Sequence, residues 1–385
     1  MKVLIHALGA TMGGGLRHLS EFLPELARLG GANEYVVLVR ASVKLDDAGG
    51  RVTLRRLPDR NASSGLQRLW KDVVALPKVL SSEHFSVAVS LTNFGPIRSP
   101  IPHAVFQRNA LYFDASYGSR CGIQSAFAMW LRKRWLVESM KRADVIVTPT
   151  NAMAEMIRQS VPSLTARRYC TMYHGFNAEL APRQPAIRDD GIYRIIYPSH
   201  LAAHKGFDVL LRATSLLARE RKDVRLALTI DRRDEPKLFD ECKRLITDLA
   251  IGNVVEILGR IPQERMKDCL ACSDLMVFPS LCESFGFPLL EGMGAGLPIV
   301  AADTPTNREV AGRAAVYYMH NDPAHAAAKL SQVLGSAGIR DELRKGGAER
   351  LRATDWSWDR YARDFEALVS ALGSPRTAPS WASIS

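Results

Sequence analysis

The sequence predicts an α/β fold with two doubly wound domains, each built on a parallel β-sheet. The chain has 385 residues, which is more than one hydrophobic core usually supports, so two domains are expected. Short apolar runs, which are typical of buried parallel strands, alternate along it with amphipathic helical segments. A charged, proline-rich stretch at 176–193 separates two halves, and each half begins with a strand, a loop and a helix.

In the first half, apolar runs are predicted to form the strands of one sheet. Each run is short and rich in aliphatic residues, and polar or glycine residues flank it. The runs lie at 2–8, 35–40, 87–91, 104–107 and 144–150. After the first run, a glycine-rich loop that includes Gly13–Gly15 is predicted to lead into a helix that ends at Gly30. Leucines at helical spacing indicate this helix, namely Leu16, Leu19, Leu23 and Leu26.

The second half repeats this arrangement. Strands are predicted at 194–199, 224–230, 253–259, 275–280, 298–303 and 314–318. Helices are predicted at 207–222, 236–250, 264–273 and from 288 onward. We therefore expect domains at 1–180 and 181–355, an amphipathic helix at 356–373 and a flexible tail at 374–385. Ligands of such sheets bind at the carboxyl ends of the strands.

Composition and charge narrow the class of protein. The chain is 47% apolar and 24% charged, as soluble globular proteins are, and no apolar run approaches the roughly 20 residues of a membrane span. Residues 1–180 contain 23 Lys and Arg against 13 Asp and Glu, so nearly all of the net charge of +11 belongs to the first half. A basic domain suggests an anionic partner, such as nucleic acid, lipid headgroups or a phosphorylated substrate. No nucleic-acid-binding module is visible, and solubility alone could explain the charge.

The cysteines and the N-terminus favour a cytoplasmic protein without a metal centre. Of six cysteines, only Cys269 and Cys272 have C-x-x-C spacing, and no histidine or second pair flanks them. We therefore expect reduced thiols. The first residues could mimic a signal peptide, but glycines and an amphipathic pattern follow at once, which favours a strand.

Two short segments are suited to bind phosphate. Gly13–Gly15 would let backbone N–H groups approach an anion at the start of a helix, whose dipole adds a partial positive charge. In the second half, Lys205 precedes Gly206 and another helix, and its ammonium group suits phosphate oxygens. Either segment taken alone is also compatible with an ordinary turn or an exposed loop.

The segment CESFGFPLLEGMGAGLPIV (282–300) carries the most specific pattern. Glu283 is expected in the loop after a strand, and Glu291 in the helix that follows that loop. Gly286 and Phe287 fall near the N-terminus of this helix, where their backbone amides would face an anion. A carboxylate accepts two hydrogen bonds from a vicinal diol. Two acids on either side of a diphosphate therefore suit a nucleotide sugar, which has a polyol at each end.

This E-x7-E segment resembles the donor-binding signature of the retaining glycosyltransferases of family 4, which have the GT-B fold. Three further segments resemble patterns of that family: GGGLRH at 13–18, HKGFDVLLRA at 204–213 and REVAG at 308–312. The resemblance covers most of the chain. It implies two Rossmann-like domains that face a central cleft, with the C-terminal helix crossing back to the first domain.

The resemblance also implies roles for residues of the second domain. Glu291 would hold the ribose hydroxyls, and Glu283 would contact the transferred sugar. Lys205 would bind the diphosphate and stabilise the leaving nucleotide. The base would meet backbone around Gly259 and Arg260. Backbone amides of three residues would assist, namely Phe285, Gly286 and Phe287.

The first domain would supply further contacts to the phosphates. Gly14 and Gly15 would approach the same diphosphate from that side. The family often has an arginine five residues before the lysine, but His200 stands at that position here. Neutralisation of the phosphates would then depend more on the lysine, with His200, His204 or Arg17 as helpers.

The first domain departs from the family pattern at a second place. Many members carry a histidine that faces the sugar, whereas this chain has Arg108 or Asn109 there. Asn109 cannot act as a general base, but it can hydrogen-bond a sugar hydroxyl. The absence of a side-chain base at this position fits a retaining reaction in which the departing phosphate takes the proton of the acceptor. Catalysis then depends on stabilising the charge of the transition state. We expect no cofactor and no metal, since no D-x-D motif stands at a strand end.

The sequence thus predicts an enzyme that moves a hexose-type sugar from a GDP- or UDP-linked donor to a glycan or lipid-linked acceptor, in cell-surface polysaccharide or glycolipid synthesis. An epimerase of the same fold and a non-catalytic relative that binds nucleotide sugars stay open as alternatives. Aromatic and basic residues mix at 66–80 and 127–142, which suits peripheral contact with the inner face of an anionic membrane. A helix whose tryptophans pack inward is the alternative there. No nucleic-acid partner is expected.

Overall fold

A computed structural model describes residues 1–11, 13–58, 76, 80, 82–114, 123–176 and 190–374, with the side chains of 123–126, 128 and 263 excepted. The predicted linker at 176–193, the basic segment at 66–80 and the tail at 374–385 therefore lie mostly outside the described residues. The chain divides into two compact units. Unit 1 comprises the described residues of Met1–Gly175 and Trp356–Ser385, and unit 2 those of Phe176–Asp355.

Unit 1 contains a sheet of seven parallel strands in the order β3-β2-β1-β4-β5-β6-β7. The strands are β1 (Lys2–His6), β2 (Glu34–Arg40), β3 (Val52–Leu57), β4 (Val87–Ser90), β5 (His103–Phe106), β6 (Val145–Thr148) and β7 (Tyr169–Thr171). The predicted strands are confirmed, and β3 and β7 are added to them. These two lie at the edges of the sheet, and they are polar or very short, so neither has the apolar run that indicates a buried strand.

Helices of unit 1 cover this sheet. Its helices in the described residues are α1 (Gly13–Arg28), α2 (Ile123–Arg142), α3 (Asn151–Ser160) and, at the end of the chain, α11 (Trp358–Gly373). The expected glycine loop is wrong in one respect, because Gly13–Gly15 form the first turn of α1. The backbone N–H groups of this first turn have no partner within the helix. A buried stripe holds the rest of the helix on the core, namely Leu19, Phe22, Leu23 and Leu26.

Helix α11 packs on α1 although more than three hundred residues separate them in the chain. The rings of Phe365 and Tyr361 lie 4.9 and 5.2 Å from the ring of Phe22, edge to face. Both side chains of α11 are completely buried. Aromatic pairs in this geometry contribute about 0.5–1.5 kcal/mol each beyond the area that they bury.

The Glu366 carboxylate of α11 fixes the register of this helix against the rest of unit 1. Asn33 donates to Glu366 Oε1 at 2.7 Å, and the two Arg51 Nη atoms donate to the two Glu366 oxygens at 3.2 and 3.1 Å. The Tyr35 hydroxyl donates to the second oxygen. Burial, and then the contact with Glu366, raise the pKa of Tyr35 above its ordinary range.

Unit 2 contains a sheet of six parallel strands in the order β10-β9-β8-β11-β12-β13. The strands are β8 (Tyr193–Tyr197), β9 (Val224–Leu228), β10 (Val255–Ile257), β11 (Leu275–Phe278), β12 (Ile299–Ala302) and β13 (Ala315–Tyr318). All six predicted strands of this half are confirmed. The strand order reverses between β8 and β11, so the loops that follow these two strands diverge and leave space for a ligand.

The four helices predicted for unit 2 are confirmed, and the structure contains further helices after residue 300. They are α4 (Phe207–Glu220), α5 (Pro236–Asp248), α6 (Gln263–Ala271), α7 (Phe287–Gly294), α8 (Pro305–Ala311), α9 (Pro323–Gly335) and α10 (Ala337–Ala353). The sequence analysis assigned no helix to the last three segments. Helix α10 buries little beyond Leu343 and Gly347, so it lacks a clear apolar stripe. Among the described residues, none of the helices is both long and apolar enough to cross a membrane.

Candidate functional site

The candidate site of unit 2 lies at the carboxyl ends of β8 and β11. The loop after β8 ends in a short 3-10 turn at Ala203–Lys205, and the Leu281 N–H, in the loop after β11, donates to the His204 carbonyl at 2.9 Å. Gly206 follows this turn with φ of +67°. A Cβ at Gly206 would lie 2.3 Å from the Pro279 carbonyl oxygen, so only glycine lets the two loops approach this closely.

This close approach brings Lys205 and Glu283 into a buried ion pair. The Lys205 ammonium group lies 2.6 Å from Glu283 Oε1, and the two side chains are only 8% and 13% exposed. Burial raises the pKa of the Glu283 carboxyl, but the charges of Lys205 and His204 outweigh it, so the pKa of Glu283 is lowered overall. The carboxylate is therefore charged at neutral pH, next to a cation with little water around either group.

Neighbouring side chains fix the backbone at both ends of the pair. The Tyr197 hydroxyl, at the end of β8, donates to the Lys205 carbonyl at 3.1 Å, and it also contacts the Ser280 hydroxyl at 2.8 Å. The Thr306 hydroxyl, at the start of α8, donates to the Glu283 carbonyl at 3.1 Å. The sequence analysis gave no role to Tyr197, Ser280 or Thr306. Their only signal in the sequence is their position: Tyr197 and Ser280 lie near the ends of predicted strands, and Thr306 lies shortly after one.

Helix α7 supplies the second acid and a set of backbone amides. It begins at Phe287, after Gly286, whose φ of +87° is one that side-chain-bearing residues rarely adopt. Phe285 is 1% exposed, and its ring packs 5.4 Å from that of Phe287. Glu291 lies on the second turn and is 8% exposed. The amides at the start of α7 face outward from the helix end, which favours a negatively charged group there.

His200 and Arg260 border the same loops at the surface. The Arg260 guanidinium contacts the Asp234 carboxylate, whose other oxygen accepts a hydrogen bond from the Leu201 N–H at 3.4 Å. Asp234 thus ties Arg260 to the loop that holds Lys205. Partial desolvation, and then the charge of Lys205, lower the pKa of His200. His200 is therefore neutral at pH 7, and it supplies a hydrogen bond rather than the positive charge of an arginine.

In unit 1 the predicted residues gather at the carboxyl ends of β1 and β5. Gly14 and Gly15 lie in the first turn of α1, together with Arg17 just beyond them. Arg108 donates from its guanidinium to the Gly14 carbonyl at 3.3 Å. Burial lowers the pKa of Arg108 to about 10, partly opposed by Tyr361, so the group stays charged at neutral pH.

Asn109 has a structural contact that the sequence did not predict. Its side-chain oxygen accepts a hydrogen bond from the Leu111 N–H at 3.0 Å and so caps the 3-10 turn Ala110–Tyr112. The two N–H groups of the side-chain nitrogen and the second lone pair of the oxygen can still bind a ligand.

A buried cluster next to Arg108 was missed by the sequence analysis. The His18 ring lies 5.2 Å from that of His174 and 4.9 Å from that of Tyr361, and His18 is completely buried. Burial, and then the charge of Arg108, hold the pKa values of both histidines well below the ordinary range. Both rings are therefore neutral. His18 belongs to the GGGLRH motif, which gave the only signal, while His174 and Tyr361 come from distant parts of the chain.

Side chains that could bind a metal ion do not form a cluster in the part of the chain that the structure describes. Among those residues, no three His, Cys, Asp or Glu side chains gather as they would around an ion. The Lys205 ammonium and the backbone amides at the start of α7 lie at the candidate site.

Comparison with known sequences shows that the second half of the chain is similar to one family. Residues 181–350 match the family model described as glycosyl transferases group 1. The chain is 26% identical over 190 residues to the D-inositol 3-phosphate glycosyltransferase of Pseudarthrobacter chlorophenolicus, over 46% of this chain and 45% of that protein. It is 30% identical over 262 residues to the MMP alpha-(1->4)-mannosyltransferase of Mycolicibacterium hassiacum, over 64% of this chain and 61% of that protein. The chain thus spans about half the length of these curated relatives.

Solved structures confirm the fold. The sucrose-phosphate synthase of Thermosynechococcus elongatus superposes with a TM-score of 0.72 at 16% identity, over 97% of this chain and 99% of that one. The HepE protein of Anabaena, crystallised with UDP and glucose, superposes with a TM-score of 0.69 at 16% identity, over 96% and 100% of the two chains. The two parallel-sheet units are those of the predicted GT-B fold. Residues 181–350 of the chain are therefore similar to the glycosyl transferases group 1 family.

Proposed function

We propose that the protein is a glycosyltransferase whose unit 2 binds the nucleotide-diphosphate sugar that donates the sugar. The observation that carries this proposal is the buried Lys205–Glu283 pair beside the start of α7 and the buried Glu291. A lone buried ion pair is a poor source of stability, because desolvation offsets most of the Coulomb attraction. A pair held in this way at the strand ends of a doubly wound sheet is better explained by a ligand that needs both charges.

Each part of the donor has a chemically suitable partner in unit 2. The Lys205 ammonium and the amides at the start of α7, including those of Phe285, Gly286 and Phe287, suit the diphosphate. Glu291, on the second turn of α7, suits the two ribose hydroxyls, and Glu283 suits hydroxyls of the transferred sugar. We place the base near Arg260 and His200, which border the same loops.

The relatives support the class of reaction. Two are named D-inositol 3-phosphate glycosyltransferase and MMP alpha-(1->4)-mannosyltransferase, and HepE was crystallised with UDP and with UDP-glucose. We therefore propose a hexose as the transferred sugar and UDP or GDP as the carrier. Unit 1 would receive the acceptor, a glycan or a lipid-linked sugar of cell-surface synthesis, with Arg17 and Arg108 near its anionic groups.

The proposed reaction retains the configuration at the anomeric carbon and needs no metal. The bond between this carbon and the phosphate oxygen breaks, and the acceptor oxygen bonds to the carbon from the same side. The acceptor proton passes to the departing phosphate, so the nucleotide diphosphate leaves with it. Lys205 stabilises the negative charge that develops on the phosphate, and such preorganised contacts are usually the largest single contribution to catalysis.

Release of the nucleotide from a panel of donors tests this proposal. The protein is incubated with UDP-glucose, UDP-N-acetylglucosamine, GDP-mannose and dTDP-glucose, and free nucleotide diphosphate is measured with and without EDTA. Slow hydrolysis of one donor, unaffected by EDTA and lost in Lys205→Ala, is the expected result. Lys345→Ala, which alters a surface lysine with a 79% exposed side chain, is the control. Isomerised donor without release would identify an epimerase instead, and tight binding without turnover a non-catalytic relative.

A further inference from the structure

Helix α2 presents a stripe of apolar side chains to solvent. Phe127, Trp130 and Leu131 are 66%, 53% and 39% exposed. Their spacing of three and four residues places them on one face of the helix. In the part of the chain that the structure describes, the other exposed large apolar side chains are Met1 and Met319, which lie far away in the sequence. A contiguous apolar patch of this kind usually marks a binding surface.

The exposed stripe is not needed to pack α2 on the core, because a second apolar face of the helix is buried there. The Trp135 ring stacks on that of Phe94 at 4.5 Å, and Leu136 and Met140 are completely buried in the same core cluster. Trp130 and Trp135 therefore have opposite environments, although the sequence grouped them together. The expected alternative of tryptophans packed inward is right for Trp135 and wrong for Trp130.

Basic side chains continue the stripe. Arg134 lies one turn beyond Trp130 on the same face, with its guanidinium 5.8 Å from that ring, whereas the exposed Arg132 lies on the side of the helix away from the stripe. Toward the end of the helix, Lys141 pairs with Glu138 at 2.8 Å. The stripe is thus apolar at its start and continues with Arg134 and the Lys141–Glu138 pair, in a half of the chain that carries almost all of the net positive charge.

We propose that this face of α2 docks on the surface of an anionic lipid bilayer. Aromatic and aliphatic side chains would enter the boundary between headgroups and acyl chains, while Arg134 would remain at the anionic headgroups. The helix would lie on the membrane, because it is too polar to cross it. This proposal goes beyond the transferase activity and holds whether or not that activity is found.

Charge and ring geometry favour a bilayer over other partners. A second copy of the chain, docked by the same face about a twofold axis, would bring Arg134 close to its own counterpart, and like charges repel. The rings of Phe127 and Trp130 stack on each other at 5.9 Å and 24°, so one face of each is already covered. Nucleic-acid bases would need those faces for stacking.

Vesicle flotation tests the proposal on the full chain. We expect binding to vesicles of phosphatidylcholine with phosphatidylglycerol, weak binding to phosphatidylcholine alone, and loss of binding at high salt. The F127S/W130S/L131S variant should lower the bound fraction at least about tenfold, and R134S should lower it mainly on anionic vesicles. Met319→Ser, which removes an exposed apolar side chain of unit 2, is the matched control and should bind as the unaltered protein does.

A depth measurement separates insertion from simple adsorption. Brominated acyl chains should quench part of the tryptophan fluorescence, and Trp130→Phe should remove most of that quenching while binding persists. Circular dichroism and donor hydrolysis without vesicles show whether the variants still fold and react. No binding at low salt, or equal binding of the triple variant, would overturn the proposal. A dimer that the triple variant abolishes, or displacement from vesicles by RNA that binds the same face, would overturn it in favour of those partners.

Discussion

The two units place charge at their strand ends in different ways, although both have parallel sheets whose strand order reverses next to the first strand. In unit 2, Lys205 and Glu283 have opposite charges and touch each other. In unit 1, the charged group is Arg108, and its neighbours His18 and His174 are held neutral. Unit 2 thus offers both a cation for phosphate and acids for hydroxyl groups, as a nucleotide sugar requires.

The chain positions of the residues also explain why the site residues of unit 2 could be predicted and the buried cluster of His18, His174 and Tyr361 in unit 1 could not. The residues of unit 2 come from two short segments, one after β8 and one after β11, so a local pattern describes them. The cluster of unit 1 joins a helix start, a strand end and the last helix of the chain. Contacts between such distant segments leave no periodic or local mark in a single sequence.

The largest expected effect is that of Lys205→Ala on nucleotide release. Loss of the cation that faces the leaving phosphate should lower the rate at saturating donor about a hundredfold to a thousandfold. The rate of diphosphate release reports this directly, with Lys345→Ala as the exposed control. A loss of less than about threefold, with the variant folded, would remove Lys205 from the catalytic role that we propose.

The ion pair of Lys205 with Glu283 should also make the stability of unit 2 depend on pH. Glu283→Gln leaves the Lys205 charge without its buried partner and should destabilise unit 2 by about 3 kcal/mol at neutral pH. Because the pKa of Glu283 is lowered in the folded protein, its contribution is complete above about pH 4.3, the ordinary value, and disappears as the pH falls through the lowered one. The difference between the two proteins in thermal unfolding should therefore shrink below about pH 4.

A matched exposed pair controls for general effects of losing a carboxylate. Glu349 lies 4.0 Å from Lys345, and the two side chains are 51% and 79% exposed. Glu349→Gln should change stability by less than about 1 kcal/mol, because water screens such pairs. If both substitutions have the same small effect, the contact of Lys205 with Glu283 does not matter for the folded state.

Glu291→Ala is expected to act on binding rather than on the chemical step. Two hydrogen bonds from the ribose to a buried carboxylate should contribute about 1.5–3 kcal/mol, so nucleotide affinity should fall about tenfold to a hundredfold. Titration calorimetry with UDP and GDP measures it, and Glu349→Ala is the control. Equal affinities for the variant and the unaltered protein would contradict the role of Glu291 at the ribose.

Much of the fold was predictable because buried parallel strands appear as apolar runs. Strands β3 and β7 were missed since edge strands need not be apolar, and helix α10 was missed because it buries so little. At the site, the predicted residues Glu283, Glu291 and Lys205 occupy the expected loops and helix. Contact between Lys205 and Glu283 could not be predicted, because it depends on a close approach of two loops 78 positions apart.

Asn109 offers the smallest effect and the sharpest test of unit 1. Asn109→Ala removes the cap of the 3-10 turn and should cost about 0.5–1 kcal/mol of stability. Asn109→Asp keeps an oxygen that can accept from the Leu111 N–H but loses the amide donor, so it separates the cap from any contact with a sugar. We expect Asn109→Asp to unfold at nearly the temperature of the unaltered protein and to raise KM for the donor sugar severalfold, with kcat little changed. An unchanged KM in this stable variant would show that Asn109 serves the turn alone, and unit 1 would then rely on Arg17 and Arg108 for its ligand.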